Sequence, residues 1–266
     1  MTQTASGTLR GRHAVVTGGG RGIGAAIATA LAADGATLTL MSRSLAALER
    51  HAQALRQTHG VEAHALSVDV TDPADVQRAF AAAVARSGAV HILINNAGRS
   101  DVGLLADISL EAWEALMRVN LTGPFLCIQQ VLPAMIVAGS GRIVTVASTA
   151  GLKGYAKVAS YCASKHGVVG LTRALAAETA RAGITVNAVC PGYTDETEML
   201  QAAVENVRHL TGRTADEARA ILTKQSPRGT LITPEEVAHT VAWLCSPGAS
   251  AITGQSIAVA AGEVMR

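Results

Sequence analysis

Ser148, Tyr161 and Lys165 are the residues of this chain whose types and spacing could move a proton. Tyr161 and Lys165 lie four apart in Ser160-Tyr161-Cys162-Ala163-Ser164-Lys165-His166-Gly167-Val168-Val169, a segment that predicts a helix. Residues at i and i+4 share one helix face, so the phenol and the ammonium can converge. A free tyrosine titrates at about 10, too high for acid-base work near neutrality. A cation within a few ångströms favours the phenolate and lowers that value toward the range a general acid-base needs. Ser148 ends an apolar run, Ile143-Val144-Thr145-Val146-Ala147, that predicts a buried strand. A strand-end hydroxyl, a phenol and a cation together make a proton-delivery device. Alone, Tyr-x3-Lys is equally a surface helix pair, so the elements that position it decide.

The 266 residues fit a single α/β domain spanning 1–266. Apolar residues are 49% of the chain and aromatics only 3%, so Ala, Val, Leu and Ile must fill the core. The net charge of +2 makes no case for nucleic acid as a partner. No run approaches the roughly 18 continuous apolar residues of a membrane span. The start, Met1-Thr2-Gln3-Thr4-Ala5-Ser6-Gly7, lacks the layout of a signal peptide. Cys127, Cys162, Cys190 and Cys245 sit inside apolar segments without metal-ligand spacing. They read as reduced core thiols of a cytoplasmic protein, and no metal site is expected.

Taken in order, residues 1–10 read as a loose tail and His13-Ala14-Val15-Val16-Thr17 as a first strand. Thr17-Gly18-Gly19-Gly20-Arg21-Gly22-Ile23-Gly24 follows, then an Ala-rich helix over 25–33. Strand, glycine turn and helix form the setting of a phosphate-binding loop, with backbone amides and a helix N-terminus facing the anion. A ligand-free glycine turn is the bland reading. A second strand over 35–41 ends at Ser42-Arg43. An NAD site usually carries an acid about 20 residues past its glycine turn, to hold the ribose 2′-hydroxyl. Here Arg43 stands there, with Arg21 as a possible second cation, and guanidinium suits a phosphate. That favours NADPH over NADH.

A helix over 44–58 and a third strand over 62–68 lead to Asp69-Val70. Asp69 could accept a hydrogen bond from an adenine amino group or only cap a turn. A fourth strand, 90–94, ends in Asn95-Asn96-Ala97-Gly98, at the mouth where an open α/β sheet binds ligands. Two apolar helical segments, 113–119 and 121–137, flank Asn120, a residue that can kink such a run. The strand 143–147 and the helix of Tyr161, continuing to about 182, come next. A sixth strand, 184–189, ends in Cys190-Pro191-Gly192-Tyr193-Thr194. Residues 195–233 interrupt the alternation with amphipathic helices and read as a substrate lid, or as a rigid interaction pair. A helix from Thr233-Pro234-Glu235-Glu236 to about Cys245 and a last strand, 256–260, close the chain. The alternation predicts a doubly wound parallel sheet of seven strands with helices on both faces.

These residues resemble the short-chain dehydrogenase/reductase family from about residue 9 onward. Thr17, Gly18, Gly22 and Gly24 match its glycine motif, residues 95–98 its Asn-Asn-Ala-Gly motif, and Pro191-Gly192 its Pro-Gly turn. Asn120, Ser148, Tyr161 and Lys165 match its catalytic tetrad. The resemblance implies a Rossmann-type fold and hydride transfer between nicotinamide and a carbonyl carbon. Tyr161 would exchange the proton and Ser148 would hold the carbonyl oxygen. Lys165 would bind the nicotinamide ribose and depress the Tyr161 pKa, and Asn120 would hold a water leading to solvent. Gly18, Arg21, Gly22, Ile23, Gly24, Ser42, Arg43, Asp69, Val70, Asn96, Ala97, Gly98, Pro191, Gly192 and Thr194 would line the cofactor with Tyr161 and Lys165. A homotetramer built through the helices at 121–137 and 158–182 is also implied.

Where the family often has a threonine, four residues past the Pro-Gly glycine, this chain has Glu196, with Thr194 and Thr197 nearby. Its C-terminal motif reads Ala260-Ala261-Gly262 in place of Asp-Gly-Gly. The stretch 184–260 looks like 3-hydroxybutyrate dehydrogenases, but the matching carboxylate-binding places, Ser100, Ala150 and Val158, hold no cation. A carboxylate buried there would lack a partner. The expected small-molecule substrate is a neutral ketone, β-keto ester or acyl thioester, reduced with NADPH. A 3-hydroxyacyl or 3-hydroxybutyrate dehydrogenase working oxidatively with NAD is the alternative. A silent dinucleotide sensor is an alternative of another class.

Overall fold

The computed structural model describes residues 7–265. Its centre is a seven-stranded sheet in the order β3-β2-β1-β4-β5-β6-β7. The strands are β1 (His13–Thr17), β2 (Thr37–Ser42), β3 (Ala63–Ser67), β4 (Ile92–Asn95), β5 (Gly141–Val146), β6 (Ile184–Pro191) and β7 (Ser256–Val259). Every neighbouring pair is parallel. The chain builds outward from β1 to β3, then returns to place β4 on the other side of β1. That reversal opens a crevice at the carboxyl ends of β1 and β4, where open α/β sheets bind ligands.

Helices α1 (Gly22–Ala33), α2 (Leu45–His59), α3 (Pro73–Ser87), α4 (Leu110–Met117), α5 (Gly123–Ala138) and α6 (Ala159–Thr179) connect the first six strands. Helices α7 (Glu198–Thr211), α8 (Ala215–Thr223) and α9 (Pro234–Cys245) lie between β6 and β7. Side chains alternate across each strand, so Ala14 and Val16 of β1 face one core and Val15 the other. The first core is closed by α1, α2 and α9, through Ile27, Leu31, Leu48, Leu55 and Val241. The second is closed by α3, α5 and α6, through Val76, Phe80, Val131, Met135 and Leu175. All five residues of β1 and all eight of β6 are buried, as strands covered on both faces must be.

Small side chains let these layers approach closely. A Cβ on Gly24 would stand 2.1 Å from the Gly18 carbonyl oxygen and 2.4 Å from Asn96 Nδ2. Glycine is therefore required where α1 leaves the β1 turn.

Three expectations need correction. The tail before residue 10 is not loose throughout: Leu9 is buried, and its amide donates to the Asp34 carbonyl at 3.0 Å. Residues 1–6 lie outside the described part. The two helical segments around Asn120 form one continuous helix, Leu110–Ala138, with a π-turn over Arg118–Thr122 in place of a break. By length and composition that helix is apolar enough to cross a membrane, with a mean hydropathy of 1.6 over its best window. The count of uninterrupted apolar residues missed it because scattered polar residues do not stop such a window from being apolar. In this fold its Leu126, Cys127, Val131 and Met135 pack into the second core.

Candidate active site

The glycine turn after β1 is held by its neighbours as well as by its own backbone. Gly18 and Gly22 adopt φ of +66° and +51°, a region side chains disfavour. Asn96, at the end of β4, donates from Nδ2 to the Thr17 and Gly18 carbonyls, both at 3.1 Å. The amides of Asn96 and Ala97 in turn donate to Thr17 Oγ1, at 3.0 and 3.1 Å. Asn96 thus braces the loop, leaving the α1 N-terminus with Gly22 and Ile23 open to an anion. This is a cradle that a Cβ would fill, and its donor set fits a pyrophosphate.

At the next strand end, Ser42 closes β2 and Arg43 is exposed beside Asp69. Asp69 accepts from the amide and the hydroxyl of Thr71, at 2.9 and 2.7 Å, and these bonds hold its carboxyl below the usual range. Val70 is buried and packs on Gly123, where the continuous helix passes. Arg21 pairs with Glu198, the first residue of α7. Both partners are mostly exposed, and such pairs contribute little. Of the two arginines, Arg21 thus meets α7, and Arg43 has no ion pair within 4 Å among the described residues.

The four residues expected to handle the proton come together beyond the carboxyl ends of β4 and β5. Ser148 follows β5, its hydroxyl accepts from the Ala150 amide at 3.1 Å, and it lies close enough to Tyr161 to oppose the rise in the phenol's pKa. Tyr161 and Lys165 rise on the first turns of α6, with Lys165 Nζ 5.7 Å from the Tyr161 ring centre. Lys165 is 4% exposed, and its Nζ donates to the Val146 carbonyl at 2.9 Å. Asn120 is 1% exposed. Its Oδ1 accepts from the Arg99 amide at 2.9 Å, and its Nδ2 donates to the Arg99 carbonyl at 2.8 Å and to Ser164 Oγ at 3.0 Å. With the side chain so committed, the π-turn alters the backbone bonding at Asn120 itself, as such bulges do at functional sites. Gly98 joins the two halves: a Cβ there would meet Asn120 Oδ1 at 3.3 Å and Lys165 Nζ at 3.6 Å.

The electrostatics correct the expectation from sequence. Burial pushes the Tyr161 phenol up to about 12, against an opposing hydrogen bond from Ser148. Burial also pushes the Lys165 ammonium down to about 8. Loss of water dominates both shifts, and in each case it favours the neutral form. In the protein alone, Tyr161 is a protonated phenol at neutral pH.

Pro191 ends β6 and pairs with Val259, and the Gly192 amide donates to the Val259 carbonyl at 3.1 Å. Thr194 is buried, and its hydroxyl donates to the Gly192 carbonyl at 3.1 Å. Thr197 is the threonine placed toward the glycine loop: its Cγ2 lies 3.6 Å from where a Gly22 Cβ would stand. It also caps α7, accepting from the Leu200 amide at 3.2 Å. Sequence reasoning left this contact open because two threonines flank Glu196, whose φ of +54° turns the chain between them.

Four further side chains border the site without a motif to announce them. Tyr155 lies 2.8 Å from Thr149 Oγ1 and hydrogen-bonds to Glu263. Lys153 sits 3.4 Å from the Glu263 carboxylate and 4.7 Å from the Tyr155 ring centre. Tyr193 is close enough to raise the pKa of both Tyr161 and Tyr155. Lys153 and Tyr155 could have been noticed from their position between Ser148 and Tyr161. Glu263 carries no sequence signal.

Comparison with known proteins agrees with this geometry. The family model for short chain dehydrogenases matches residues 12–208. A putative ketoacyl reductase of Streptomyces coelicolor is 43% identical over 251 residues, covering 94% of this chain and 95% of the relative. The 3-oxoacyl-acyl-carrier-protein reductase FabG of Escherichia coli is 38% identical over 257 residues, covering 97% and 99%. Among solved structures, an actinorhodin polyketide ketoreductase variant with NADPH superposes at a TM-score of 0.91 with 42% identity, covering 95% and 97%. The chain belongs to the short-chain dehydrogenase family and is an oxidoreductase enzyme of it.

Proposed function

We propose that this enzyme uses NADPH to reduce a β-keto thioester, β-keto ester or other neutral ketone to the secondary alcohol. One observation carries the chemistry: the Tyr161 phenol stands beside the Ser148 hydroxyl at the end of β5, with Lys165 one helical turn behind it. A phenol so placed can give a proton to a carbonyl oxygen as negative charge develops there.

The names of the relatives, ketoacyl reductases and a ketoreductase with NADPH, support the same reading. So does the exposed Arg43, a planar donor suited to a 2′-phosphate where an NAD site carries an acid. The glycine cradle would hold the pyrophosphate, Lys165 the nicotinamide ribose, and Thr197 a phosphate or the carboxamide. NADPH, when bound, supplies the hydride.

The chain's own residues do the rest. Ser148 and Tyr161 hold the carbonyl oxygen between two hydroxyls and fix the face of the carbonyl carbon. Tyr161 gives its proton to that oxygen. Lys165 replaces it, with Asn120 and its π-turn giving the ammonium a path to water. The insertion over residues 195–233 acts as a lid, anchored to the glycine loop through Arg21–Glu198 and covering substrate as α7 closes.

A panel of β-keto esters, acyl thioesters and cyclic ketones, read by NADPH consumption, tests this reading. Turnover of a β-keto thioester or ester in preference to alcohol oxidation is expected. Nucleotide binding without turnover of any of them would reduce the protein to a dinucleotide sensor.

A further inference from the structure

The loop after β5 and the last residues of the chain, more than a hundred positions apart, meet beside Ser148 in a charged cluster that the proton transfer does not use. Glu263 is its centre. Its side chain is 4% exposed, lies 3.4 Å from Lys153 Nζ, and accepts from the Tyr155 phenol. The Lys153 ammonium also donates to the Glu263 backbone carbonyl at 3.3 Å. Tyr155 has one proton, and the carboxylate is the stronger acceptor, so Thr149 is left to donate to the phenol oxygen. The phenol and the ammonium both meet Oε1, so the buried carboxylate has a donor and a counter-charge on one oxygen.

The cluster borders the reacting centre on two sides. Thr149 is the neighbour of Ser148 in the chain. Glu263 Oε2 lies 2.8 Å from where a Cβ on Gly192 would stand, in the turn that follows Pro191. The chain is bent to bring it there: Ala261 and Gly262 adopt φ of +48° and +90°, and the Glu263 amide donates to the Ala260 carbonyl at 3.0 Å. Positive φ at an alanine is unfavourable and persists where surrounding contacts over-determine it. Those contacts are Lys153 and Tyr155. The Lys153 side chain is 33% exposed while its counter-charge, at 4%, is buried against it.

We propose that Glu263 is a specificity-determining residue that cancels the Lys153 cation at the pocket wall, so that the site takes β-keto esters and thioesters and rejects free β-keto acids. This rests on the carbonyl-reductase reading above. An ammonium beside the reacting carbonyl would otherwise offer a substrate carboxylate the partner that Ser100, Ala150 and Val158 do not. With Glu263 already holding that ammonium, an incoming carboxylate meets a pair of zero net charge and the repulsion of the nearer anion.

The test compares kcat/KM for ethyl acetoacetate and acetoacetate, with NADPH, in the wild type, Glu263→Gln and Lys153→Gln. Glu263→Gln keeps the shape and frees the cation, so the ester-to-acid ratio should fall by about tenfold or more, the scale of one charge-assisted bond. Lys153→Gln should move the ratio the opposite way. The proposal is overturned if neither variant moves the ratio. Should Glu263→Gln fail to fold, the ratio in Lys153→Gln alone decides. Should the wild type reduce neither compound, calorimetric binding of acetoacetate decides this proposal, and the carbonyl-reductase reading fails only if no ester, thioester or ketone of the panel is turned over. Tighter binding by Glu263→Gln upholds the proposal, and equal binding overturns it.

Discussion

The two ends of the crevice are built differently. On the β1–β3 side, the cradle is made of backbone and of residues adjacent in sequence: Thr17, Gly18, Gly22 and Gly24, with Asn96 bracing them from the next strand over. On the β5–β7 side, the pocket wall is made of side chains from three separate segments, Thr149 and Tyr155 after β5, Tyr193 after β6 and Glu263 after β7. A backbone cradle serves one chemistry, the phosphate anion, and tolerates little change. A side-chain wall can be altered one residue at a time, so substrate choice can vary while the cofactor end stays constant.

Four substitutions or conditions probe that division. Tyr161→Phe should cost about a thousandfold in kcat/KM, the middle of the range for a lost general acid, while dinucleotide binding by fluorescence titration survives. Unchanged turnover would discard the mechanism. Arg43→Asp should swing the NADPH-to-NADH preference by about 10- to 100-fold, the scale of a charge-assisted bond. A preference that does not move would assign the 2′ end to another residue. Gly24→Ala pushes a methyl group against the Gly18 carbonyl and should cost about 1–3 kcal/mol in stability, seen as a lower Tm and weaker NADPH binding. An unaffected melting curve would mean that α1 can shift away from β1. The smallest effect is in pH. Lys165 loses its proton at about 8, so kcat/KM for reduction should be flat below that value and fall above it. Oxidation of the alcohol should not fall on that limb. A decline beginning only near the free lysine value would show that the site is wetter than its burial implies.

The glycine turn and the strand ends around it were legible because their signals are local. A glycine with positive φ after a strand, an asparagine at a strand end and an arginine in place of an acid are each read from a few residues. The i, i+4 spacing likewise sets the shared helix face of Tyr161 and Lys165. The expected direction of the Tyr161 shift was wrong because spacing reports proximity, whereas burial depends on everything packed around the pair. Asn120 was legible as a disturbance in a helix but not as a π-turn, since the extra residue is absorbed only when Leu126, Val131 and Met135 dock on the sheet. Thr197, rather than Thr194, faces the glycine loop because Glu196 turns the chain between them.

The sequence by itself determined the strand-helix alternation, the glycine turn and the proton-transfer trio, because periodicity, backbone freedom and i, i+4 spacing act over a few residues. Tertiary structure alone decided that Arg21 meets Glu198, that burial raises the Tyr161 pKa instead of lowering it, and that Glu263 lies against Lys153. Those are consequences of desolvation and of contacts between segments far apart in the chain. Both depend on what the fold brings together, and neither leaves a pattern in any short stretch of residues.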